Sequence, residues 1–448
     1  MLTSSAPEEM HPSADTRDAR RRDGRARRSR TPRSAHGTWE PTADRRDPVV
    51  VLADQDSHRI ADLVPIRHER MRESPFAFFR GAAAVMASDL ATSPVSGLRV
   101  QACGDAHLLN FGVFATPERT LVFDVNDFDE TLPGSFEWDV KRLAASVVLA
   151  GRARGFSGQE CEAAALAAGA SYTDRIAEAA TMGHLDVWYR RLAVDDLLLL
   201  IDSPHGRAVG EKVVRKAHQS TSLGALDKLT HIVDDQPQIL DDPPLVQHLP
   251  GRLGRLDGMS VVDHYQRSVA DEVQAVLGRY SVVDWARKVV GVGSVGTDDA
   301  IVLMLGDDAS DPLFLQVKEA VASVLEPHVG ASRHANHGQR VVTGQRLTQA
   351  SSDIFLGWTT LDGRDYYIRQ LRDMKGSVPI EKLSPSELAS YARGCGAALA
   401  DGHARSGDSV AISAYLGSGP AFGRAICRFA VAYADQTERD HARFCTST

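Results

Sequence analysis

The chain has 448 residues, of which 43% are hydrophobic and 25% are charged, and its formal net charge is -8. This composition is ordinary for a soluble protein, and the length allows two lobes that each bury a core. The sequence contains no long uninterrupted apolar run and no apolar leader, so we expect neither a membrane span nor secretion. The five cysteines form no C-x-x-C pair, which argues against disulfides and a zinc site and favours a reducing cytoplasm.

The N-terminal segment differs from the rest of the chain in its charge. Residues 17–33 contain nine arginines against two acids, Asp18 and Asp23. Such a charge run is typical of a solvated tail, so we expect residues 1–46 to be disordered. Contact of this tail with nucleic acid or a membrane surface is the less favoured alternative.

The elements before residue 280 are predicted to be mainly helical. In chain order they are helical material from Pro48 to about Gly97, a strand over 98–102, a strand over Leu121–Val125, a helix opened by Pro133-Gly134-Ser135, a helix to about Ala180 with a capping box of Ser157 and Glu160, and helical material to about Arg279 that is interrupted near 241–244. The loops that follow the two strands carry the side chains of chemical interest.

The pattern changes after Tyr280 and predicts a small antiparallel β unit. In chain order it contains a glycine-rich segment at 291–296, strands at Ala300–Leu305 and Leu313–Lys318, a helix at about 335–352, a strand at Tyr366–Leu371, and a helix that begins at Ser384-Pro385-Ser386-Glu387. We therefore expect an α+β fold. Its expected parts are a mainly helical lobe over 47–270, a small antiparallel β lobe over about 281–372, and C-terminal helices over 373–448 that return to the large lobe.

The loop Gly104-Asp105-Ala106-His107-Leu108-Leu109-Asn110 carries an acid and an amide five residues apart. In phosphoryl transfer an acid accepts the proton of the acceptor hydroxyl, and side-chain oxygens hold magnesium on the phosphates. The loop resembles the catalytic loop of aminoglycoside-phosphotransferase and choline-kinase-like enzymes, H-G-D-x-H-x-x-N, with Cys103 in place of the first histidine. The resemblance implies that Asp105 is the catalytic base and that Asn110 binds the metal.

The acidic run Asn126-Asp127-Phe128-Asp129 directly follows the second strand. It resembles the metal-binding D-F-G or D-F-D segment of the same superfamily, and Trp138-Asp139 stands where those enzymes have an aromatic residue followed by Asp. The resemblance implies that Asp127 and Asp129 are metal ligands. Asp124 competes for this role because it lies nearer to the usual distance from the catalytic loop. An acidic cluster of this kind taken alone is more often a solvated turn.

Gly291, Gly293, Ser294 and Gly296 belong to a G-x-G-x-x-G segment. In a dinucleotide-binding fold this segment joins a strand to a helix, but here a strand follows. The segment therefore resembles the glycine loop of kinases, and the resemblance implies a hairpin whose backbone amides lie over the phosphates of a nucleotide. Lys318 ends the next strand, at the position of the phosphate-binding lysine of kinases.

The sequence does not identify the acidic helix residue that would pair with this lysine. The helical stretch at 338–349 offers Gln339, Gln345 and Gln349 but no glutamate, so the usual lysine–glutamate pair is in doubt.

Further polar side chains are candidates for supporting roles. Arg80 either reaches a phosphate or has a structural role, capping a helix or pairing with a carboxylate. His107 is expected to position the catalytic loop rather than to bind a metal. The remaining candidates lie on the presumed hinge and on the last predicted helix, and they are Arg369, Asp373, Lys375 and His403.

The order of the motifs is reversed relative to kinases, because the catalytic loop precedes the glycine-rich segment. The helix that ends at 398–404 resembles the helix that normally runs into the catalytic loop. The resemblance therefore implies a circularly permuted, two-lobed protein-kinase-like fold. Lys318 must then lie close to Asp127, since both reach the same phosphates.

The pattern from Pro48 to the C-terminus is also similar to an uncharacterised bacterial family, domain of unknown function 2252. The segments that carry this similarity are Met71–Gly81, Cys103–Gly112, Phe123–Leu143, Gly293–Ala320 and Tyr367–Ser377. The family supplies no substrate.

We expect an ATP- or GTP-dependent phosphotransferase that requires Mg²⁺ and acts on a hydroxyl of a small molecule. Two alternatives stay open, a nucleotide-binding regulatory module without transfer activity and a nucleotidyl (AMP) transferase on the same scaffold. Neither a membrane nor nucleic acid is an expected partner.

Overall fold

The computed structural model describes residues 16–199, 201, 203–248, 258–289, 291–371 and 374–447. With 54% helix, 16% strand and small antiparallel sheets, it confirms the predicted α+β class. The helices are α1 (Arg17–Arg30), α2 (Pro48–Asp56), α3 (Val64–Arg72), α4 (Pro75–Gly81), α5 (Ala83–Ala91), α6 (Phe136–Ala153), α7 (Gly158–Ala179), α8 (His184–Tyr189), α9 (Val194–Leu199), α10 (Pro204–His218), α11 (Ser222–Leu229), α12 (Gly258–Tyr265), α13 (Asp271–Leu277), α14 (Glu326–Val329), α15 (His337–Thr348), α16 (Pro385–Ser406), α17 (Ser409–Leu416) and α18 (Ala421–Cys445).

Among the described residues the strands form one six-stranded antiparallel sheet and three two-stranded pairs. The strands are β1 (Arg99–Ala102), β2 (Phe111–Ala115), β3 (Leu121–Val125), β4 (Leu132–Ser135), β5 (Thr230–Val233), β6 (Gln236–Ile239), β7 (Val246–Gln247), β8 (Ser281–Lys288), β9 (Ala300–Leu305), β10 (Pro312–Ala320), β11 (Gly357–Leu361) and β12 (Arg364–Gln370). The large sheet has the order β11-β12-β10-β9-β8-β7, and the pairs are β1-β4, β2-β3 and β5-β6.

The helical body is built around α6, which is buried along almost its entire length. Helices α7, α16 and α18 pack against it. Helices α7 and α16 approach each other closely, because a Cβ at Gly396 would lie 2.2 Å from the carbonyl oxygen of Ala168. Capping boxes fix where two of these helices begin, with Ser157 and Glu160 at α7 and Ser384 with its N3 glutamate at α16, as the sequence predicts.

The two faces of the large sheet are covered by different parts of the chain. One face packs against α12 and α13. The other face carries Lys318 and, two residues apart along β10, Gln316 and Phe314. The apolar cluster on that second face contains Ala225 of α11, Ile239 of β6 and the strand residues Ala286, Ile301, Leu303, Leu305 and Phe314. Helix α11 and the β5–β6 hairpin therefore close off part of the face that bears the lysine.

The arginine-rich segment corrects the expectation of a disordered tail for residues 16–46. Residues 17–30 form α1, which packs on α17 through Gly24. Arg28 Nε donates to the carbonyl of Tyr415 at 2.8 Å, and Arg33 Nη1 donates to that of Leu416 at 2.6 Å. These arginines satisfy carbonyls at the C-terminal end of α17, where positive charge is favourable. Residues 1–15 lie outside the described residues.

Two further expectations about local structure are wrong in part. The region predicted as helical up to about Arg279 contains the β5–β6 hairpin, whose turn residues Asp234 and Asp235 both have positive φ. A two-residue turn of this kind matches the twist of the strands it joins. The segment Pro133-Gly134-Ser135 belongs to β4, which pairs with β1, and α6 begins only at Phe136.

A search of the described helices for one long and apolar enough to cross a bilayer returned no candidate.

Candidate active site

The two loops of interest lie side by side because of the β2–β3 hairpin. The predicted catalytic loop connects β1 to β2, and the predicted metal-binding segment connects β3 to β4. The hairpin pairs Phe111 with Val125, and the Asn126 amide donates to the carbonyl of Asn110 at 2.8 Å. The end of one loop is thus bonded to the start of the other.

Asp105 faces Arg142, a buried residue of α6. Arg142 Nε donates to Asp105 Oδ1 at 2.5 Å, and its Nη2 donates to the carbonyl of Phe79 at 3.0 Å. The other carboxylate oxygen, Oδ2, lies 3.9 Å from His107 Nε2 and receives no hydrogen bond from the residues that the structure describes. Burial raises the pKa of Asp105 to about 7, against the opposing effect of Arg142. Asp105 therefore offers one free oxygen with the basicity that a general base needs near neutral pH.

The conformation of the catalytic loop is set by bonds within it. The Asn110 amide nitrogen donates to the carbonyl of Asp105 at 2.7 Å, and His107 Nδ1 accepts from the Leu109 amide at 3.2 Å. Burial, together with Arg80 and Arg142, lowers the pKa of His107 well below its usual value, so the imidazole is neutral.

A buried network supports the catalytic loop from behind. Asp139 accepts hydrogen bonds from the amides of Cys103 and Gly104 at 2.6 and 3.0 Å. His403 of α16 lies 3.1 Å from Asp139, and Tyr172 lies 2.9 Å from the other ring nitrogen of His403. A helix near the C-terminus thus contacts the loop through one intervening carboxylate.

The metal-binding segment meets the lysine of β10. Lys318 Nζ lies 2.5 Å from Asp129 Oδ2 and 3.7 Å from Asp127 Oδ1, and the lysine is 3% exposed. Tyr367 donates its hydroxyl hydrogen to Asp129 Oδ1. Burial acts to raise the pKa of Asp129, but Lys318 and Tyr367 hold it below its usual value. For Asp127, burial and the neighbouring Asp129 raise the pKa.

Helix α15 carries Arg340, and not a glutamate that pairs with Lys318, next to the metal-binding segment. Arg340 donates to the carbonyls of Asp129, Thr131 and Val321, at 2.9, 2.8 and 2.8 Å. The candidate glutamines lie elsewhere, and Gln349 donates to the carbonyl of Val125 at 2.6 Å. The helix therefore holds the backbone of the metal-binding segment rather than the lysine.

The glycine-rich segment joins β8 to β9 as a hairpin loop, and it is docked against the N-terminal helices. Val292 is buried in a cluster with apolar residues of α2, α3 and α4. Arg59 Nη1 donates to the carbonyl of Val295 at 2.5 Å, Arg70 donates to that of Gly291, and the Ile60 amide donates to that of Gly296 at 2.8 Å.

One cavity collects most of the predicted site residues. The predicted residues that line it are Arg80, Asp105, His107, Asn110, Asp127, Asp129, Gly291, Gly293 and Ser294. Lys318 is not one of the lining residues, but it is ion-paired with two of them, Asp127 and Asp129. Three polar atoms of the lining residues are buried without a hydrogen-bond partner, namely Asp127 Oδ1, Arg59 Nε and Arg80 Nε. Unpaired buried groups are costly, so their convergence on one cavity indicates a site for a charged ligand.

Other predicted residues lie away from this cavity. Asp124 is buried in β3, where its side chain accepts from the Val125 amide, and it does not line the cavity. Arg369 donates to the carbonyl of Asn126 at 2.9 Å and, with Lys375, lines a separate cavity. Gly296 does not line the cavity, and its carbonyl accepts a hydrogen bond from the amide of Ile60, between α2 and α3. Asp373 lies outside the described residues.

Sequence reasoning missed Arg142, Arg340 and Arg59. Arg142 follows Asp139 by one turn and stands directly before the mainly apolar run 143–150, and a charged residue at the start of such a run is a recognisable sign of a buried partner. Arg340 and Arg59 give no comparable sign, because their partners come from distant segments.

The donor set fits magnesium. Within the described ranges, no three His, Cys, Asp or Glu side chains are grouped so as to hold a metal. Asp127, with one carboxylate oxygen that accepts no hydrogen bond, and Asn110 line the same cavity. Magnesium is commonly held by one or two carboxylates and completes its shell with phosphate oxygens and water, whereas a structural zinc site needs four protein ligands.

Residues 59–447 match the model of a family described as an uncharacterized protein conserved in bacteria, DUF2252. The match covers most of the chain and includes all the loops described above, so the chain belongs to this family. A search of curated proteins and a search of solved structures found no match.

Proposed function

We propose that this protein transfers the γ-phosphate of ATP or GTP to a hydroxyl of a small-molecule acceptor, on a circularly permuted, two-lobed kinase-like fold. The observation that carries the proposal is the single cavity lined by Asp105, Asp127 and the glycine loop, with Lys318 Nζ 3.7 Å from Asp127. These groups come from opposite parts of the sequence, and a kinase-like site is the arrangement that needs all of them together.

In the proposed reaction Asp105 Oδ2 accepts the proton of the acceptor hydroxyl. The hydroxyl oxygen forms a bond to the γ-phosphorus while the bond from that phosphorus to the β–γ bridging oxygen breaks, and the nucleoside diphosphate leaves. Lys318 and the backbone amides of the glycine loop hold the phosphates, and Asp127 with Asn110 would hold magnesium. Bound magnesium neutralises charge on the phosphate oxygens. Arg142 fixes the orientation of the base through Asp105 Oδ1.

The test incubates the protein with a pool of small metabolites and Mg²⁺, using ATP labelled at either the α- or the γ-phosphate. We expect label from the γ position alone to appear on a metabolite. Asp105→Asn should lower this transfer at least 100-fold, because general-base catalysis contributes about 10²–10⁴-fold. Binding of Mg·ATP, measured by calorimetry, should change less than threefold in the same variant.

Asp307→Asn is the matched control, since Asp307 is exposed in the β9–β10 turn. It should transfer phosphate at the wild-type rate. Unchanged transfer by Asp105→Asn would contradict the proposal. Transfer of the α label would indicate a nucleotidyl transferase, and Mg·ATP binding without turnover would indicate a regulatory module.

A further inference from the structure

A second cavity lies beside α15, between this helix, the β1–β4 pair and the segment that follows α14. Its volume is about 240 Å³, compared with about 110 Å³ for the cavity that contains Asp105. Four basic side chains line it, Arg99, Arg333, His334 and Arg340, and no carboxylate does. In a chain whose net charge is -8, an acid-free cavity with several basic groups has a positive local potential.

Arg340 is the buried group of this cavity, with 2% of its surface exposed. Its two terminal nitrogens are used by three backbone carbonyls, but its Nε is buried without a hydrogen-bond partner. Glu130 and Glu326 are the carboxylates whose charge most affects Arg340, and neither lines this cavity. The guanidinium is thus fixed in place and supplies a permanent positive charge at the wall of the cavity.

The other basic groups leave donors available around it. Arg99 uses Nη2 for the carbonyl of Pro133 at 2.8 Å, and Arg333 lies on the surface with its Nε 3.4 Å from His334. Gly330, at φ 98°, borders the cavity, and a Cβ built there would meet no atom within 4 Å, so the backbone is accessible. Burial and Arg333 lower the pKa of His334, so the cationic groups are the three arginines. Separate guanidinium groups around an open volume suit a tetrahedral dianion better than a single planar carboxylate.

We propose that this second cavity binds the phosphate group of a small molecule. The site is distinct from the one that contains Asp105, and the proposal does not depend on phosphotransfer. Because Arg340 also holds the carbonyls of Asp129 and Thr131, the bound phosphate would lie one side chain away from the metal-binding segment.

The test measures binding of inorganic phosphate and of glycerol 3-phosphate to the full chain by calorimetry, with glycerol as the uncharged comparison. The variant Arg99→Gln/Arg333→Gln should bind both phosphates at least tenfold more weakly. The control Arg22→Gln/Arg25→Gln removes the same charge from exposed positions of α1 and should bind them as the wild type does.

Hydrogen exchange of the wild type should slow at 329–334 when phosphate is added. Tighter binding of the ester than of phosphate would identify a phosphorylated metabolite as the occupant, and equal binding would identify free phosphate.

Lys318→Met separates the two cavities, since Lys318 is ion-paired with Asp127 and Asp129 of the first cavity and does not line the second. It should retain phosphate binding at the second cavity. Three results would overturn the proposal: an affinity of Arg99→Gln/Arg333→Gln within twofold of the wild type, loss of all phosphate binding in Lys318→Met, or exchange protection confined to 104–110 and 291–296.

Discussion

Lys318 takes its counter-charge from the metal-binding segment rather than from a helix. Both carboxylate oxygens of Asp129 are occupied, one by Lys318 and the other by Tyr367, whereas Asp127 Oδ1 accepts no hydrogen bond and has Lys318 Nζ only at 3.7 Å. The two aspartates therefore differ in whether a carboxylate oxygen remains without a hydrogen bond. In the proposed reaction Asp127 is the charged metal ligand, and Asp129 positions the lysine in the place of the missing glutamate.

This division of roles predicts different defects in two variants. Asp127→Asn should raise the Mg²⁺ concentration for half-maximal transfer at least tenfold, because it removes the charged metal ligand. Asp129→Asn should mainly weaken nucleotide binding, by about tenfold, since a hydrogen bond to a charged group contributes about 1.5–3 kcal/mol. Titrations of activity with Mg²⁺ and with ATP distinguish the two. Equal shifts of Mg²⁺ dependence in both variants would show that Asp129 is also a ligand.

The pKa of Asp105 predicts the pH dependence of transfer. Burial raises this pKa to about 7, so the carboxyl is protonated below that pH and cannot accept a proton from the acceptor. We expect kcat/KM to rise with pH, about tenfold per unit below 7, and to level off above it. The profile is measured at constant ionic strength and saturating Mg²⁺. A rate that falls as pH rises through 7 would contradict the role of Asp105 as a base.

At this scale, the polar residues of the loops were predictable, but their partners were not. Asp105, Asn110 and Asp127 stand in short motifs with defined spacing. The arginines that hold the two loops lie far along the chain from their partners, 37 residues for the bond from Arg142 to Asp105 and 209 for the bond from Arg340 to Thr131. Only packing brings such partners together, and a single sequence carries no record of it.

The glycine loop, as an element, is attached at its tip to the N-terminal helices. Val292 is buried among apolar residues of these helices. Removing its two methyl groups costs about 1.5 kcal/mol of docking energy. We expect Val292→Ala to speed hydrogen exchange of 291–296 about tenfold, with little change in the exchange of the β-sheet.

Val50→Ala is the control, because Val50 is 49% exposed on α2 and belongs to no buried cluster. It should leave exchange of the glycine loop unchanged. If Val292→Ala also leaves the exchange of 291–296 unchanged, Val292 does not hold the glycine loop against the N-terminal helices.

Local sequence rules predicted elements where the turn chemistry was recognised. The strand Leu121–Val125 and the helix starts at Ser157 and Ser384 are confirmed. The strand Gly357–Leu361 was missed, although Asp362 and Gly363 form the positive-φ turn that joins it to β12. Asp followed by Gly is a strong hairpin pattern, so the sequence itself contains the information that predicts this strand.

At the scale of the whole molecule, α1 fastens the N-terminal segment to the helical body. Its arginines bond to carbonyls at the end of α17, and Arg28 contributes the bond to Tyr415. Arg28→Ala should lower the free energy of unfolding by about 1.5 kcal/mol, since a charge-assisted bond is lost. Arg25→Ala, at an exposed position of the same helix, should change it by less than about 0.5 kcal/mol. Chemical denaturation of both variants checks the difference, and equal stabilities would mean that the helix is held by its apolar contacts alone.

The α+β class and the small antiparallel unit followed from the change of periodicity near residue 280. The arginine-rich segment was mispredicted because composition describes an isolated charge run as solvated. It does not reveal that α17 ends nearby with carbonyls that need donors. The permuted kinase-like arrangement stays a prediction that rests on the proximity of Lys318 to Asp127.

Helix α11 and the β5–β6 hairpin cover part of the sheet face that carries Lys318. This has a consequence for which nucleobases the proposed site would accept. On that face Phe314 lies four residues before Lys318 on β10 and Ile301 pairs with Gln316, and both are already packed against the chain itself. In the proposed complex these two positions are therefore closed to a purine ring, and recognition would rest mainly on the triphosphate. We expect inorganic tripolyphosphate with Mg²⁺ to compete with ATP at comparable concentrations, and GTP to replace ATP with similar kcat/KM. Such a protein would respond to the feature that all nucleoside triphosphates share, and the most abundant triphosphate in its surroundings would serve as its donor.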